Sequence, residues 1–398
     1  MEAEFLLGNQ ENFKEIEKEK PKKIFSEETI EFLSCVAEEV FRGGKRESLP
    51  DLLTYGFWCR RAHLQELKKV YAKSSENRLA RGISLHFAPG NIPTQFAYTA
   101  AAGLLAGNCT IVRLSSKKSR QEEIIQEAFA KAIEKNPVFR RRIFFLRYEH
   151  NKEITDELSR LCQVRVIWGS DASVREIRKS PIGERAVELV FAARDSAAVF
   201  SAKAVLETED LKVLCRGFYN DTYLNDQNAC SSPHILYWLG EKEENKRAQM
   251  RFWKAFQEYL TEQGWQIQEE TAVRKYEAAL KLAVAFDKSL IQRVDNRIVR
   301  IQMEELKEEL WEYMQPGGFF LEGEGKELKG LLPVLSKRCQ TLSFYGVKGS
   351  ELADFVVENA ADGVDRIVPV GHTLDFELTW DGIDMIEGMS RKIKVMNI

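Results

Sequence analysis

The chain has 398 residues, 44% hydrophobic and 10% aromatic, enough to bury a large core and to divide into about two domains. Charged residues make up 30%, yet the two signs nearly cancel to a formal −3, so no global field recruits nucleic acid or an anionic membrane. Seven scattered cysteines without a Cys-x-x-Cys pair read as free thiols, and five isolated histidines give a metal site no support.

The opening Met1-Glu2-Ala3-Glu4 lacks the basic-then-apolar pattern of a secretory leader, and the apolar stretch 95–112 is broken by Tyr98, Gly103, Gly107 and Asn108. A cytoplasmic protein without a membrane span is expected. Residues 11–23 are charge-dense and read as a solvated, frayed helix ending before Pro21. Ser26 caps an amphipathic helix carrying Ile30, Leu33, Ala37 and Val40, and a second helix is predicted over 49–74. Residues 82–87 read as a buried strand, 89–93 as the turn at its end, and 94–106 as a helix of small residues. Strands over 110–114, 142–147 and 164–168 then alternate with helices over 121–135 and 152–161, the pattern of a parallel sheet with ligands at its carboxyl edge. Neither Gly-x-Gly-x-x-Gly nor a phosphate-loop motif occurs, which counts against an ordinary Rossmann dehydrogenase.

Short apolar strands follow at 187–191 and 197–200, then a helix over 206–219. The next stretch, Asn225-Asp226-Gln227-Asn228-Ala229-Cys230-Ser231-Ser232-Pro233-His234, delivers one cysteine into an amide-rich loop stiffened by Pro233. Such a loop suits a nucleophile, because backbone N–H groups or a helix N-terminus aimed at sulfur stabilise the thiolate. A small buried hydrophobe is the alternative reading of Cys230. His234 opens the strand 235–238 and reads as structural, as does His372 after Gly371. Further on, helices are predicted over 242–263, 272–281 and 303–314, strands over 293–302 and 342–346, a turn at Gly317-Gly318, and a helix over 351–361 ending at Gly363. Asp365-Arg366 reads as an ion pair and Trp380-Asp381 as a turn.

Four segments in order carry a family resemblance. The stretch 227–234 resembles the nucleophile segment of LuxC-type acyl-CoA reductases, the fatty-acid reductases of the aldehyde dehydrogenase superfamily. The tail Gly363-Val364-Asp365-Arg366-Ile367-Val368-Pro369-Val370-Gly371, with Trp380-Asp381-Gly382, is similar to that family's C-terminal signature. Phe87-Ala88-Pro89-Gly90-Asn91-Ile92-Pro93 resembles the superfamily's Pro-x-Asn turn, and Ile167-Trp168-Gly169-Ser170 its Gly-Ser cofactor loop. The resemblance implies an α/β, aldehyde dehydrogenase-like fold of two Rossmann-like parallel-sheet domains with an oligomerisation segment. The expected division is a helical preface at 1–75, a cofactor domain at 76–201, a catalytic domain at 202–350 and a closing, oligomerising segment at 351–398.

It further implies that Cys230 is the nucleophile, that Asn91 and the Cys230 N–H bind the oxyanion, and that Arg113, Ser115, Ser116, Gly169 and Ser170 bind the cofactor. A guanidinium at Arg113 suits a 2′-phosphate and hence NADPH, with no metal required. In hydrolytic members the stretch matching 187–200 opens with a base glutamate. Here Phe191 stands at that point, with Glu188 three residues upstream. The implied activity is NADPH-dependent reduction of a fatty acyl-CoA or acyl-protein thioester to aldehyde, coenzyme A being the leaving thiol in the first case. An acyl-protein synthetase partner and a homo-oligomer follow by analogy. An oxidising aldehyde dehydrogenase and a non-reducing acyl-carrying subunit are the alternatives.

Overall fold

A computed structural model describes residues 3–286, 289–293 and 295–396. It divides into two compact units, residues 1–192 with 376–398, and 193–375.

The first unit holds a six-stranded sheet. Its strands are β1 (Glu4–Leu7), β3 (Ile83–Phe87), β4 (Cys109–Arg113), β5 (Ile143–Arg147), β6 (Val164–Trp168) and β7 (Val187–Phe191), ordered β1-β5-β4-β3-β6-β7, with the short Arg78–Ala80 (β2) outside it. All pairings are parallel except β1 on β5. Strands β3 to β6 are apolar runs because helices cover both faces. The helix Gln95–Leu105 is buried throughout, and its small residues let it lie close: a Cβ on Gly103 would meet Thr110 Oγ1 at 2.6 Å and His86 Nε2 at 2.9 Å.

The N-terminal run differs from the frayed helix expected, forming a short helix, Gln10–Phe13, and a 3₁₀ turn, Ile16–Lys18. Phe13 and Ile16 are buried, Phe13 edge-on against Phe144 at 5.2 Å, while the charges stay outside. The single helix expected over 49–74 is two, Pro50–Cys59 and Arg61–Val70. Arg60 between them is extended (ψ 145°), which lets His63 Nδ1 turn back and donate to the Trp58 carbonyl at 2.7 Å.

In the second unit, β8 (Asp195–Ser201), β9 (Pro233–Leu239), β10 (Leu290–Arg293), β11 (Val299–Gln302), β12 (Phe319–Gly325), β13 (Cys339–Tyr345) and β14 (Arg366–Pro369) form a seven-stranded sheet, ordered β10-β11-β12-β9-β8-β13-β14. Only β10 on β11 is antiparallel. Alternate residues of β8 and β9 feed two cores. Ala197, Val199, Ile235 and Tyr237 pack on the side of helix Glu269–Ala285, and Ala198, Phe200, Leu236 and Trp238 on the side of Lys242–Gln263.

Several boundaries move. Residues 195–201, expected to end the cofactor domain, form β8 near the middle of the second sheet, because they pair with both β9 and β13. Segment 351–375 stays with the second unit, and only 376–398 belongs to the first. There Thr379–Trp380 (β15) and Ile383–Asp384 (β16) form a hairpin, and Ser390–Lys392 (β17) pairs with β2. The Asp381-Gly382 turn of that hairpin has φ of 48° and 69°, the left-handed pair a tight hairpin requires. The strand expected over 293–302 is the β10–β11 hairpin, with Val294 outside the described residues. The helix expected over 303–314 shrinks to a 3₁₀ turn, Glu308–Tyr313, because the Met303 N–H still extends the sheet by donating to Glu322 O at 2.8 Å.

Asp365 and Arg366 do not pair with each other. Asp365 takes Arg194 at 3.0 Å, while the Arg366 guanidinium donates to the carbonyls of His372, Thr373 and Asp375. Gly363 is required there, since a Cβ would lie 1.5 Å from Ser336 O. The same 370–373 turn is tied to helix Lys212–Thr222 by the buried Asp221, whose carboxylate accepts from the N–H groups of Gly371 (2.7 Å) and Thr373 (3.0 Å).

Burial raises the Asp221 carboxyl to about 6, outweighing those two backbone hydrogen bonds. The native group keeps its proton to about pH 6, whereas the unfolded one loses it near 3.8, so its contribution to stability falls as pH rises through that window, by up to ~3 kcal/mol. In urea melts at pH ~4 and pH ~6.5, wild type should lose stability relative to Asp221→Asn on going up in pH. An unchanged difference between the two proteins would refute the assignment.

Candidate active site

The cysteine loop follows the 3₁₀ turn Tyr223–Asn225, where Asp226 and Gln227 take consecutive left-handed conformations (φ 50° and 60°) and reverse the chain. Two non-glycine residues there need compensation. Gln227 is buried, and its Nε2 donates to the carbonyls of Pro233 (2.9 Å) and Phe319 (3.2 Å) while its Oε1 accepts from the N–H groups of Gly318 (2.9 Å) and Phe319 (3.1 Å). Asp226 accepts from Gly317 N–H through its carbonyl and from Trp265 Nε1 through Oδ1, each at 2.9 Å. The loop is thereby pinned to the starts of β9 and β12.

Cys230 emerges half-buried from this loop. Past it the chain runs directly into β9 at Pro233. Its sulfur receives a hydrogen bond from Gln340 Nε2 at 3.5 Å, and its carbonyl accepts from Ser196 Oγ at 2.7 Å. Ser196 Oγ in turn accepts from Thr341 N–H at 3.2 Å. Cys230 thus sits at the amino ends of β8, β9 and β13. Five other cysteines are buried, and burial pushes the thiols of Cys59, Cys162, Cys215 and Cys339 up to about 12 and that of Cys109 to about 11. Among the seven cysteines only Cys230 and Cys35, the latter on the helix Glu27–Glu47, are less than fully buried.

His234 is buried on β9, hydrogen-bonded to the backbone of Phe319 and Gln227, and burial lowers its affinity for a proton. His372 pairs with Asp375 at 2.7 Å on the surface. Glu188 lies within β7, its carboxylate held by Arg165 (2.5 Å) and Arg178 (2.6 Å). A carboxylate committed to two guanidinium groups is poorly placed to accept a proton from water.

The remaining candidates lie in the first unit, on the carboxyl edge of one sheet. Asn91 is exposed in the turn after β3, and that turn abuts the exit of β4: a Cβ on Gly90 would lie 2.9 Å from Ser115 Oγ. Gly169 and Ser170 follow β6, which pairs in register with β3 (Phe87 with Ile167). From β3 the chain proceeds to β4 on one side, and from β6 to β7 on the other, so these loops flank the switch point of a doubly wound sheet.

That edge fits a dinucleotide. Gln95, in the first turn of Gln95–Leu105, is buried with Nε2 lacking a hydrogen-bond partner, and Thr94 makes no side-chain cap there. Ser170 caps its own short helix, Asp171–Ile177, accepting from Ser173 N–H at 3.2 Å. Arg113 is half-buried, its guanidinium over the Tyr148 ring at 5.4 Å and donating to Tyr148 O at 3.2 Å. Ser115 is half-buried beside it and Ser116 exposed, leading into the exposed Lys117 and Lys118. Trp168, just before Gly169, stacks on Phe191 at 3.9 Å, with Trp380 on the C-terminal hairpin 6.4 Å away. Among the described residues no group of three or more His, Cys, Asp or Glu could hold a metal ion.

The family model described as acyl-CoA reductase (LuxC) matches residues 6–392. The chain belongs to the LuxC family. A long-chain acyl-protein thioester reductase of Vibrio harveyi is 26% identical over 185 residues, 46% of this chain and 37% of its own. Another, of Aliivibrio fischeri, is 20% identical over 163 residues, 40% of this chain and 33% of its own. The match spans about a third of the length of these curated relatives. A crystal structure of an NAD-dependent benzaldehyde dehydrogenase from Corynebacterium glutamicum is similar over 96% of this chain and 88% of its own, with a TM-score of 0.60 and 10% identity. At that identity the likeness establishes an aldehyde dehydrogenase-like fold.

For this LuxC-family chain, the sequence singled out Cys230 as a candidate and gave no sign of Gln340 and Ser196, the residues that hydrogen-bond to it. Gln340 shares the strand Cys339–Tyr345 with the polar Thr341 and Ser343, so its polarity alone did not single it out. Gln227→Ala would strip four buried backbone groups of their partner. A loss of about 2–4 kcal/mol in urea denaturation is expected, together with loss of the selective alkylation of Cys230 over the buried cysteines. Unchanged stability would show that the loop is held by other means.

Proposed function

We propose that this chain is a cytoplasmic, NADPH-dependent reductase that converts a fatty acyl thioester, acyl-CoA or acyl-protein, to the aldehyde through an acyl-cysteine. The observation that carries this reading is a half-exposed thiol, pinned at both sulfur and carbonyl, in a chain of the LuxC family.

In this reading the Cys230 thiol loses its proton to solvent, and the sulfur lone pair forms a bond to the acyl carbon. We assign the Asn91 amide and the Cys230 N–H as donors to the oxyanion that results. As the oxyanion collapses, the bond to the carrier breaks and the carrier leaves as a thiol, coenzyme A in the case of acyl-CoA, taking a proton from solvent. Arg113, Ser115, Ser116, Gly169 and Ser170 would hold the dinucleotide at the switch point, and the Gln95 amide adds a buried donor to that edge. When bound, NADPH supplies the hydride that takes the acyl group to the aldehyde oxidation level. Cys230 then departs as thiolate, and the site is restored. With Phe191 standing where hydrolytic members carry the base glutamate, and Glu188, three residues upstream, held by two arginines, activation of water is disfavoured at these positions, which favours reduction over release of acid.

An acyl-protein synthetase is the proposed donor partner, and a homo-oligomer the proposed assembly. Among the described residues no helix is long and apolar enough to cross a membrane. Intact mass after incubation with a long-chain acyl-CoA should show one acyl adduct, absent in Cys230→Ala and discharged as aldehyde when NADPH is added. Absence of the adduct in wild type refutes the nucleophile; an adduct that survives NADPH makes the chain an acyl carrier.

A further inference from the structure

The Gln340 side chain is only 1% exposed, on a strand whose neighbours Cys339 and Leu342 are core residues. An amide placed there must be hydrogen-bonded, since burying it unpaired is costly. Its position is set by a bulge. In the pairing of β13 with β8, Cys339 lies opposite Asp195 and Thr341 opposite Ser196, so Gln340 is the extra residue. Bulges re-aim a side chain out of the ladder's alternation. Here the extra residue reaches the sulfur of Cys230 with Nε2, at 3.5 Å, while its Oε1 accepts from Thr341 Oγ1 at 3.2 Å. The hydroxyl therefore orients the amide with its NH₂ end toward sulfur. The opposing residue, Ser196, lies at a second register shift, between β8 and β9, and it holds the Cys230 carbonyl.

We propose that Gln340 is a catalytic residue: its neutral amide donates to Sγ and stabilises the thiolate both when it attacks and when it departs. The proposal rests on the reading of Cys230 as the nucleophile. In the acyl-cysteine the sulfur has shared its electron pair with carbon and is a weak acceptor. When the bond to the reduced carbon breaks, that pair returns to sulfur and the amide binds it again. The hydrogen bond is thus stronger in the thiolate than in the thioester, which favours release of product. A glutamine performs this without charge, whereas a glutamate of the same shape would repel the thiolate.

The test is iodoacetamide alkylation of the full chain from about pH 5 to about pH 10, following the Cys230 peptide by mass so that the other cysteines do not contribute. In Gln340→Ala the half-alkylation pH should rise by about one unit, a tenfold loss of thiolate at a given pH. Gln340→Glu should raise it further, and Thr341→Val, which removes the hydroxyl that donates to the amide oxygen, should give an intermediate rise. Midpoints within ~0.2 unit of wild type in folded variants would overturn the proposal. If melting curves show that the Gln340 variants do not fold, Thr341→Val decides by the same criterion. A shifted alkylation without acylation would refute the nucleophile and leave the donor standing. Acylation with an unshifted profile would do the reverse.

Discussion

Every buried N–H and C=O needs a partner, and in the second unit one side chain meets that demand for four groups of three residues. Gln227 bridges the start of β9 to the start of β12, and the two left-handed residues of the loop are held in place by that bridge. Cys230 follows three residues later. The thiol owes its half-exposed position to this arrangement, in a chain where five of seven cysteines are buried.

The two units prepare their chemistry by different means. In the first, regular parallel strands end together, and the reversal of strand order between β3 and β6 leaves polar loops at the carboxyl edge. Around that reversal the ladder is regular: β3 pairs with β4 and β6 without a shift. In the second, the candidate thiol lies at the amino ends of the strands, and the ladder itself is irregular there, shifted between β8 and both neighbours. A regular ladder would send Gln340 to the opposite face from its neighbours and leave the sulfur to the loop alone.

What could be read from the sequence was local. Strands β3 to β6 are apolar runs buried on both faces, so composition alone disclosed them. The cysteine loop was visible because amide and turn residues crowd into 225–232. What escaped depended on distant partners. The strand β1 is four residues long and is defined by β5, more than a hundred positions away. The break at Arg60 serves a bond from His63, and residues 303–314 were drawn off a helix by the sheet at Glu322. Asp365 and Arg366 looked like a pair because they are adjacent, yet each has distant partners, Arg194 for Asp365 and the carbonyls of His372, Thr373 and Asp375 for Arg366. Gln340 was invisible as a sulfur donor because 110 residues separate it from Cys230.

The path of the chain has a consequence for biosynthesis. Residues 193–375 are an insertion within the first unit, whose last pieces, the Trp380 hairpin and β17, are made after the whole second unit. On the ribosome the second unit can therefore close first, while the first sheet waits with Trp168 and the edge of β2 uncovered. The half that carries the loops at the carboxyl edge of the first sheet is the later to mature, and it is the half that a nascent chain leaves exposed to chaperones and to aggregation.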